Sequence, residues 1–88
     1  MLTLLKFEAS WCAPCQAMGP IVKQLDEEDE NLIVSCIDID DNPQERINYH
    51  VRSIPTFVLL KDKKEIARKT GSATLGDMKG WINESRDL

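Results

Sequence analysis

The sequence predicts an α/β fold with the element order β-α-β-α-β-β-α, a four-stranded mixed sheet flanked by three helices. Three observations predict it. Strand-like apolar runs occupy Leu2–Glu8, Leu32–Asp38 and Thr56–Lys61. Apolar residues recur at helical spacing after the first run and again near the end of the chain. The short strand–helix–strand connection implies two parallel strands joined by a right-handed crossover, and a tight turn after Lys61 adds an antiparallel hairpin.

Each element has its own grounds. Leu2–Glu8 is a short apolar run that stops at Ala9-Ser10, as a buried strand does. A helix begins near Ala13, with Met18, Ile21, Val22 and Leu25 on one face. Pro14 suits its first turn, where the missing N–H costs nothing, and Pro20 beside Gly19 kinks its interior. The five acids at 26–30 form a solvated helix end, and by opposing the macrodipole they help to stop the helix. Asn31 is expected to close it as a left-handed cap. Leu32–Asp38 is the second strand. Asn42-Pro43-Gln44-Glu45 is a helix-start signal for a short helix reaching about His50. Thr56–Lys61, a turn at 62–64 and a strand at 65–69 form the hairpin. The last helix spans 74–86, with Thr74 and Asp77 spaced as in a capping box. Leu75, Met78, Trp81, Ile82 and Ser85 trace its buried face, so Trp81 is read as packing. Gly76 and Gly80 inside it cost about 1 kcal/mol each relative to Ala, which close packing on the sheet would explain.

The 88 residues are expected to form a single domain over 1–88 with a radius of gyration of about 12 Å. Such a chain buries about 60–65 % of its unfolded surface, so its core is small. With 42 % hydrophobic and 30 % charged residues the balance is that of a soluble globular protein. No run approaches the roughly 20 apolar residues of a membrane span. The first residues carry no basic segment and no cleavage site, which points to a cytoplasmic protein. A net charge of −4 argues against nucleic acid as a partner. A monomer is expected.

Three cysteines, Cys12, Cys15 and Cys36, are an odd number and do not read as a structural disulfide framework. Cys12 and Cys15 stand as C-x-x-C where strand becomes helix. Positions i and i+3 are neighbours in a helical first turn, so the two sulfurs can reach disulfide distance. Cys12 sits at the helix N-terminus, where orphan N–H groups and the dipole favour a thiolate. Cys12 is therefore the expected exposed attacker, and Cys15, one turn in, the more buried resolving thiol. Pro14 stiffens the loop between them.

Together these residues resemble the thioredoxin family. Phe7, Ala9, Trp11-Cys12-Ala13-Pro14-Cys15, Pro20, the segment 38–43, Ile54-Pro55-Thr56 and Gly71 fall in that family's order and spacing over nearly the whole chain. C-x-x-C alone is a weak signal; Trp-Cys-x-Pro-Cys followed some forty residues later by Ile-Pro-Thr is a strong one. The resemblance implies a short, minimal thioredoxin fold performing dithiol–disulfide exchange. It implies a cis Ile54-Pro55 bond facing the cysteines and an extended substrate segment pairing with the backbone at Ile54. It implies a rim of Trp11, Ile54, Thr70, Gly71 and Ser72, with Ala13 and Pro14, that receives disulfide-containing proteins. No G-x-G-x-x-G is present, so no nicotinamide or flavin is expected, and electrons must come from a thioredoxin-reductase-like protein or a small dithiol.

The chain departs from that pattern in places. The common thioredoxin has an additional strand and helix before its active-site strand; here that strand comes first, so Leu32–Asp38 becomes a sheet edge and a candidate partner or dimer surface. Ala13-Pro14 stands where Gly-Pro is usual. Lys6 stands where many members have a buried Asp, and Cys36 where a lysine is usual. Lys6 and Glu8 lie two apart on a strand, hence on one face. Glu8 is expected to take over proton transfer with Lys6 as its ion-pair partner, and a positive Lys6 would favour the thiolates and make the disulfide more oxidising. The alternative is that Lys6 extends to water and neither residue matters. Cys36 is read as a small buried hydrophobe and His50 as a surface residue. Trp11, a large aromatic beside a reactive cysteine, is read as a substrate contact.

The leading function is a small disulfide reductase working through a Cys12/Cys15 mixed-disulfide intermediate. The same fold run as an oxidase or isomerase is the alternative, along with a non-catalytic interaction subunit using the same rim. A zinc module built on Cys12, Cys15, Cys36 and His50 is disfavoured, because Pro14 and the helix start suit a dithiol better than a metal turn.

Overall fold

The computed structural model of the chain describes all of residues 1–88 and has a radius of gyration of 12.1 Å. Its elements are β1 (Leu2–Glu8), α1 (Ala13–Ala17), α2 (Gly19–Glu28), β2 (Leu32–Asp38), α3 (Pro43–Asn48), β3 (Thr56–Lys61), β4 (Lys64–Thr70) and α4 (Leu75–Arg86). The sheet order is β2-β1-β3-β4. β1 and β2 run parallel with Lys6 opposite Cys36, and β1–β3 and β3–β4 are antiparallel.

The two central strands are buried on both faces, which is why their sequences read as continuous apolar runs. Leu2, Leu4, Phe57 and Leu59 face α2 and α4, where Val22, Leu25, Met78 and Ile82 meet them. Leu5, Phe7, Val58 and Leu60 face the other way, into the cluster that holds Cys12 and Cys15. The strand period of two therefore puts Lys6 on the α2 side and Phe7 on the other.

Several local expectations change. The helix expected from Ala13 is interrupted at Met18 rather than merely kinked. Pro20 has no N–H to offer the Gln16 carbonyl, so the ladder cannot run through regularly. The Val22 N–H bonds the Met18 carbonyl at 2.9 Å, which keeps the two pieces nearly continuous. Asn31 is not left-handed; Asp29 ends α2 in an extended conformation, and its carboxylate accepts the Asn31 N–H at 2.9 Å. The Asn42 side chain does not cap α3, because its amide donates to the Asp38 carbonyl at 3.1 Å instead. α3 stops at Asn48, and His50 beyond it is exposed with φ 54°. The hairpin turn is only two residues, Asp62 and Lys63, both left-handed as a type I′ turn requires; Lys64 already pairs with Lys61. Thr74 does cap α4, accepting the Asp77 N–H at 3.0 Å.

Close packing does not explain the α4 glycines. A Cβ at Gly80 would meet nothing within 4 Å, and one at Gly76 only the Thr74 hydroxyl at 3.9 Å. Gly80→Ala is therefore expected to raise stability by about 1 kcal/mol, the helix-propensity difference, in a urea melt. An unchanged or lower midpoint would mean that Gly80 serves a contact outside this chain.

The acids that end α2 are not all simply solvated. Asp29 meets Arg86 at 2.5 Å and Glu28 meets Lys79 at 2.6 Å, so α4 supplies the cations that α2's last turn lacks. Burial pushes the Asp29 carboxyl up, but the Arg86 hydrogen bond, the Asn31 N–H and the Arg86 charge outweigh it and hold it below the usual carboxylate range. A carboxyl depressed in the folded state contributes stability above its unfolded pKa of about 3.9, and that contribution is lost as pH falls through the folded value. Asp29→Asn is expected to cost up to about 1 kcal/mol at neutral pH. The gap to the parent should close as pH is lowered from about 5 to below 3. A gap that persisted in acid would assign the loss to packing rather than charge.

Candidate active site

The chain leaves β1 at Glu8, turns so that the Cys12 N–H bonds the Ala9 carbonyl at 3.1 Å, and enters α1. Cys12 is the N-cap, extended at φ −91° and ψ 104°, and its sulfur accepts the Cys15 N–H at 3.2 Å. The two cysteines are disulfide-bonded, with Cα atoms 5.2 Å apart. Cys15 is fully buried, as expected. Cys12 is not the exposed thiol expected from sequence: only 6 % of it is accessible, because as a member of the disulfide it sits in the apolar cluster with Phe7, Ala9 and Val58. The order of burial between the two stands; the degree for Cys12 does not.

Trp11 is 67 % exposed beside this bond, with Ala13 and Pro14 exposed after it. The Trp11 ring is anchored, since Nε1 donates to Asp40 Oδ2 at 2.8 Å. The Ile54-Pro55 peptide is cis. Ile54 is half-buried against the cluster that contains both cysteines, and Pro55 is buried with its carbonyl accepting the Gly71 N–H at 2.9 Å. Thr70 pairs with Thr56, so β4 delivers Thr70, Gly71 and Ser72 to the side of Pro55. Gly71 has φ 85°, a conformation that a side chain would strain. Thr70 and Ser72 are exposed.

Behind the disulfide lies the charged pair. Lys6 Nζ meets Glu8 Oε1 at 2.7 Å and donates to the Cys15 carbonyl at 2.8 Å. Lys6 is 2 % exposed, so the alternative in which it extends to water does not hold. A groove of about 440 Å³ opens from this pair toward solvent between β1, β2 and α2, lined by Lys6, Glu8, Cys15, Lys23, Asp26 and Cys36. Cys36 is not the buried hydrophobe expected; β2 is a sheet edge, and the residue is exposed on it. Its thiol nevertheless lines the groove, where partial burial and then the Glu8 charge push its pKa up against the opposing effect of Lys6. No three His, Cys, Asp or Glu residues gather where they could hold a metal ion, so Cys12, Cys15, Cys36 and His50 do not form the zinc set.

The sequence model of the thioredoxin family matches residues 1–84. The chain belongs to the thioredoxin family. It is 40 % identical over 83 residues to the thioredoxin of Chlamydia caviae, an alignment covering 94 % of this chain and 81 % of that one. It is 34 % identical over 83 residues to the thioredoxin of Buchnera aphidicola subsp. Acyrthosiphon pisum, covering 93 % and 77 %. The solved structure of a single-residue mutant of thioredoxin from Halobacterium salinarum superposes with a TM-score of 0.91 at 33 % identity, over 99 % of this chain and 76 % of that one. The protein is a thiol–disulfide oxidoreductase of the thioredoxin type, with protein-disulfide reductase activity carried by a C-x-x-C pair.

Two features of this thioredoxin site escape sequence reasoning. Asp40 stands out only as part of the segment 38–43, and its bond to Trp11 crosses 29 positions with no local pattern to announce it. The Lys6 bond to the Cys15 carbonyl is equally silent in the sequence; its one available signal is Pro20, which interrupts the helix close to that carbonyl.

Proposed function

We propose that the protein reduces disulfides of other proteins, with Cys12 attacking and Cys15 resolving, in one domain over residues 1–88 acting as a monomer. The observation that carries this is the position of Cys12 at the N-cap of α1, its sulfur already accepting the Cys15 N–H. That donor and the helix N-terminus stabilise a thiolate at Cys12. The thiolate attacks one sulfur of the substrate disulfide, forms the mixed disulfide and expels the other sulfur as a thiolate. Cys15 then attacks Cys12 Sγ; the Cys12–Cys15 bond forms, the mixed disulfide breaks and the second substrate sulfur leaves. The substrate gains two electrons, and the protein's dithiol loses them.

Cys15 must shed a proton to attack. Glu8 lines the groove that Cys15 also lines, with Lys6 as its ion-pair partner, and is the group suited to receive it. The substrate segment adds as a strand at the Ile54 backbone beside Pro55. Trp11, Ala13, Pro14, Thr70, Gly71 and Ser72 frame it. No bound cofactor takes part; a thioredoxin-reductase-like protein or a dithiol returns the electrons. An exposed free thiol at Cys36 suits a reducing compartment such as the cytoplasm.

The test is the pH profile of substrate-disulfide reduction with a dithiol as donor. Glu8→Gln is expected to slow the resolving step by about 10²-fold at neutral pH, the low end of what a positioned acid–base group supplies. The deficit should shrink as pH rises and hydroxide substitutes for the carboxylate. A profile identical to the parent's removes Glu8 from the mechanism.

A further inference from the structure

Lys6 is the one lysine of this chain that the fold buries, and it interrupts the apolar run of a central strand. A buried cation is kept only where its partners compensate for lost water. Its two partners, Glu8 and the Cys15 carbonyl, belong to residues that line the same groove. Glu8, still partly exposed, lies toward the groove; the Cys15 carbonyl belongs to the redox pair itself. That carbonyl lies in the short helix that ends at Met18, whose N–H it also accepts at 3.2 Å. The Lys6 ammonium therefore lies against Cys15, with the partly exposed Glu8 carboxylate as its counter-charge. The disulfide carries no charge, whereas the reduced pair carries thiolate at Cys12 and, transiently, at Cys15. A positive charge held there favours the reduced form over the oxidised one. The other charged or titratable groups facing Lys6 are Lys23 and Asp26 of α2 and Cys36 of β2, with Asp38 opposite Glu8.

We propose that Lys6 is a positioning residue that sets the reduction potential of the Cys12–Cys15 pair, holding a positive charge against the Cys15 carbonyl and making this disulfide a stronger oxidant than an uncharged residue there would. The proposal rests on the Cys12/Cys15 dithiol reading above. The balance it describes is an exchange: the protein disulfide plus a reference dithiol gives the protein dithiol plus the reference disulfide, two electrons and two protons moving together.

The test is an equilibrium titration of the full chain against dithiothreitol and its disulfide at fixed pH, read by thiol alkylation. Lys6→Met should shift the equilibrium at least tenfold toward the protein disulfide, about 30 mV more reducing for a two-electron couple. Lys6→Arg, which keeps the charge, should stay within about threefold of the parent. Glu8→Gln, which removes the counter-charge, should shift the equilibrium the opposite way from Lys6→Met. An unmoved Lys6→Met, or a Lys6→Arg shift as large, overturns the proposal, because packing rather than charge would then be the cause. If Lys6→Met does not fold, Glu8→Gln decides: no shift, or a shift toward the disulfide, overturns it. A parent protein with no two-electron transition would fail at the earlier step and remove the dithiol reading as well.

Discussion

Cys15→Ser is expected to turn the protein into a trap. Mixed with a disulfide-containing protein, the variant should accumulate a covalent complex that survives denaturing, non-reducing electrophoresis and dissolves on adding dithiol. The reason lies in the order of the two steps. Cys12 is the N-cap residue with a backbone N–H donated to its sulfur, so it can form the mixed disulfide alone. Cys15 is fully buried and one turn further in, placed to attack Cys12 and little else. Without its thiol the first step proceeds and the second cannot, and steady-state turnover falls to the uncatalysed background. Cys12→Ser should also lose turnover but yield no complex, since a buried Cys15 has no path to an incoming disulfide. If Cys12→Ser trapped substrate and Cys15→Ser did not, the roles would be exchanged.

The contrast between these cysteines is legible in the sequence because it depends on local geometry. Three-residue spacing, a proline between, and a strand ending just before are all short-range facts, and short-range facts also place β1, β2, β3 and α4. What is not legible depends on what crosses the fold. Asp40 reaches Trp11 only because β2 lies beside β1 in parallel register and the loop after it returns over the active-site turn. Lys6 shares a face with Glu8 by the strand period alone, yet its choice between water and the interior is set by α1 and α2 closing over that face. Cys36 has the composition of a buried strand residue but lies on an edge, where burial is decided by whether another element covers it. Asn42 carries a correct helix-start signal and still commits its side chain to the Asp38 carbonyl, a neighbour in space that the cap pattern does not encode.

The two-faced sheet leads to the largest expected stability effect. Phe57 is fully buried on β3, on the face that packs against α2 and α4. Phe57→Ala removes most of a ring from a close-packed site and leaves a cavity, at a cost of about 3–5 kcal/mol. A chain of this size has a total stability of about 4–13 kcal/mol at 0.05–0.15 kcal/mol per residue. The loss is then a large part of the whole, and the melting temperature should fall by about 12–40 °C, taking roughly 4–8 °C per kcal/mol. Phe57→Leu, which keeps most of the volume, should lose far less. The cysteines belong to the cluster on the opposite face, with Phe7 and Val58. Phe57 is the cross-strand neighbour of Lys6 on the same face, but its substitution leaves the Lys6 charge in place, so folded Phe57→Ala protein, measured well below its midpoint, should keep the parent's reduction potential while its thermal midpoint drops. Differential scanning calorimetry beside a redox titration reads both quantities. A potential that moved with the midpoint would mean that the packing of Phe57 beside Lys6, and not the Lys6 charge alone, helps to set the chemistry.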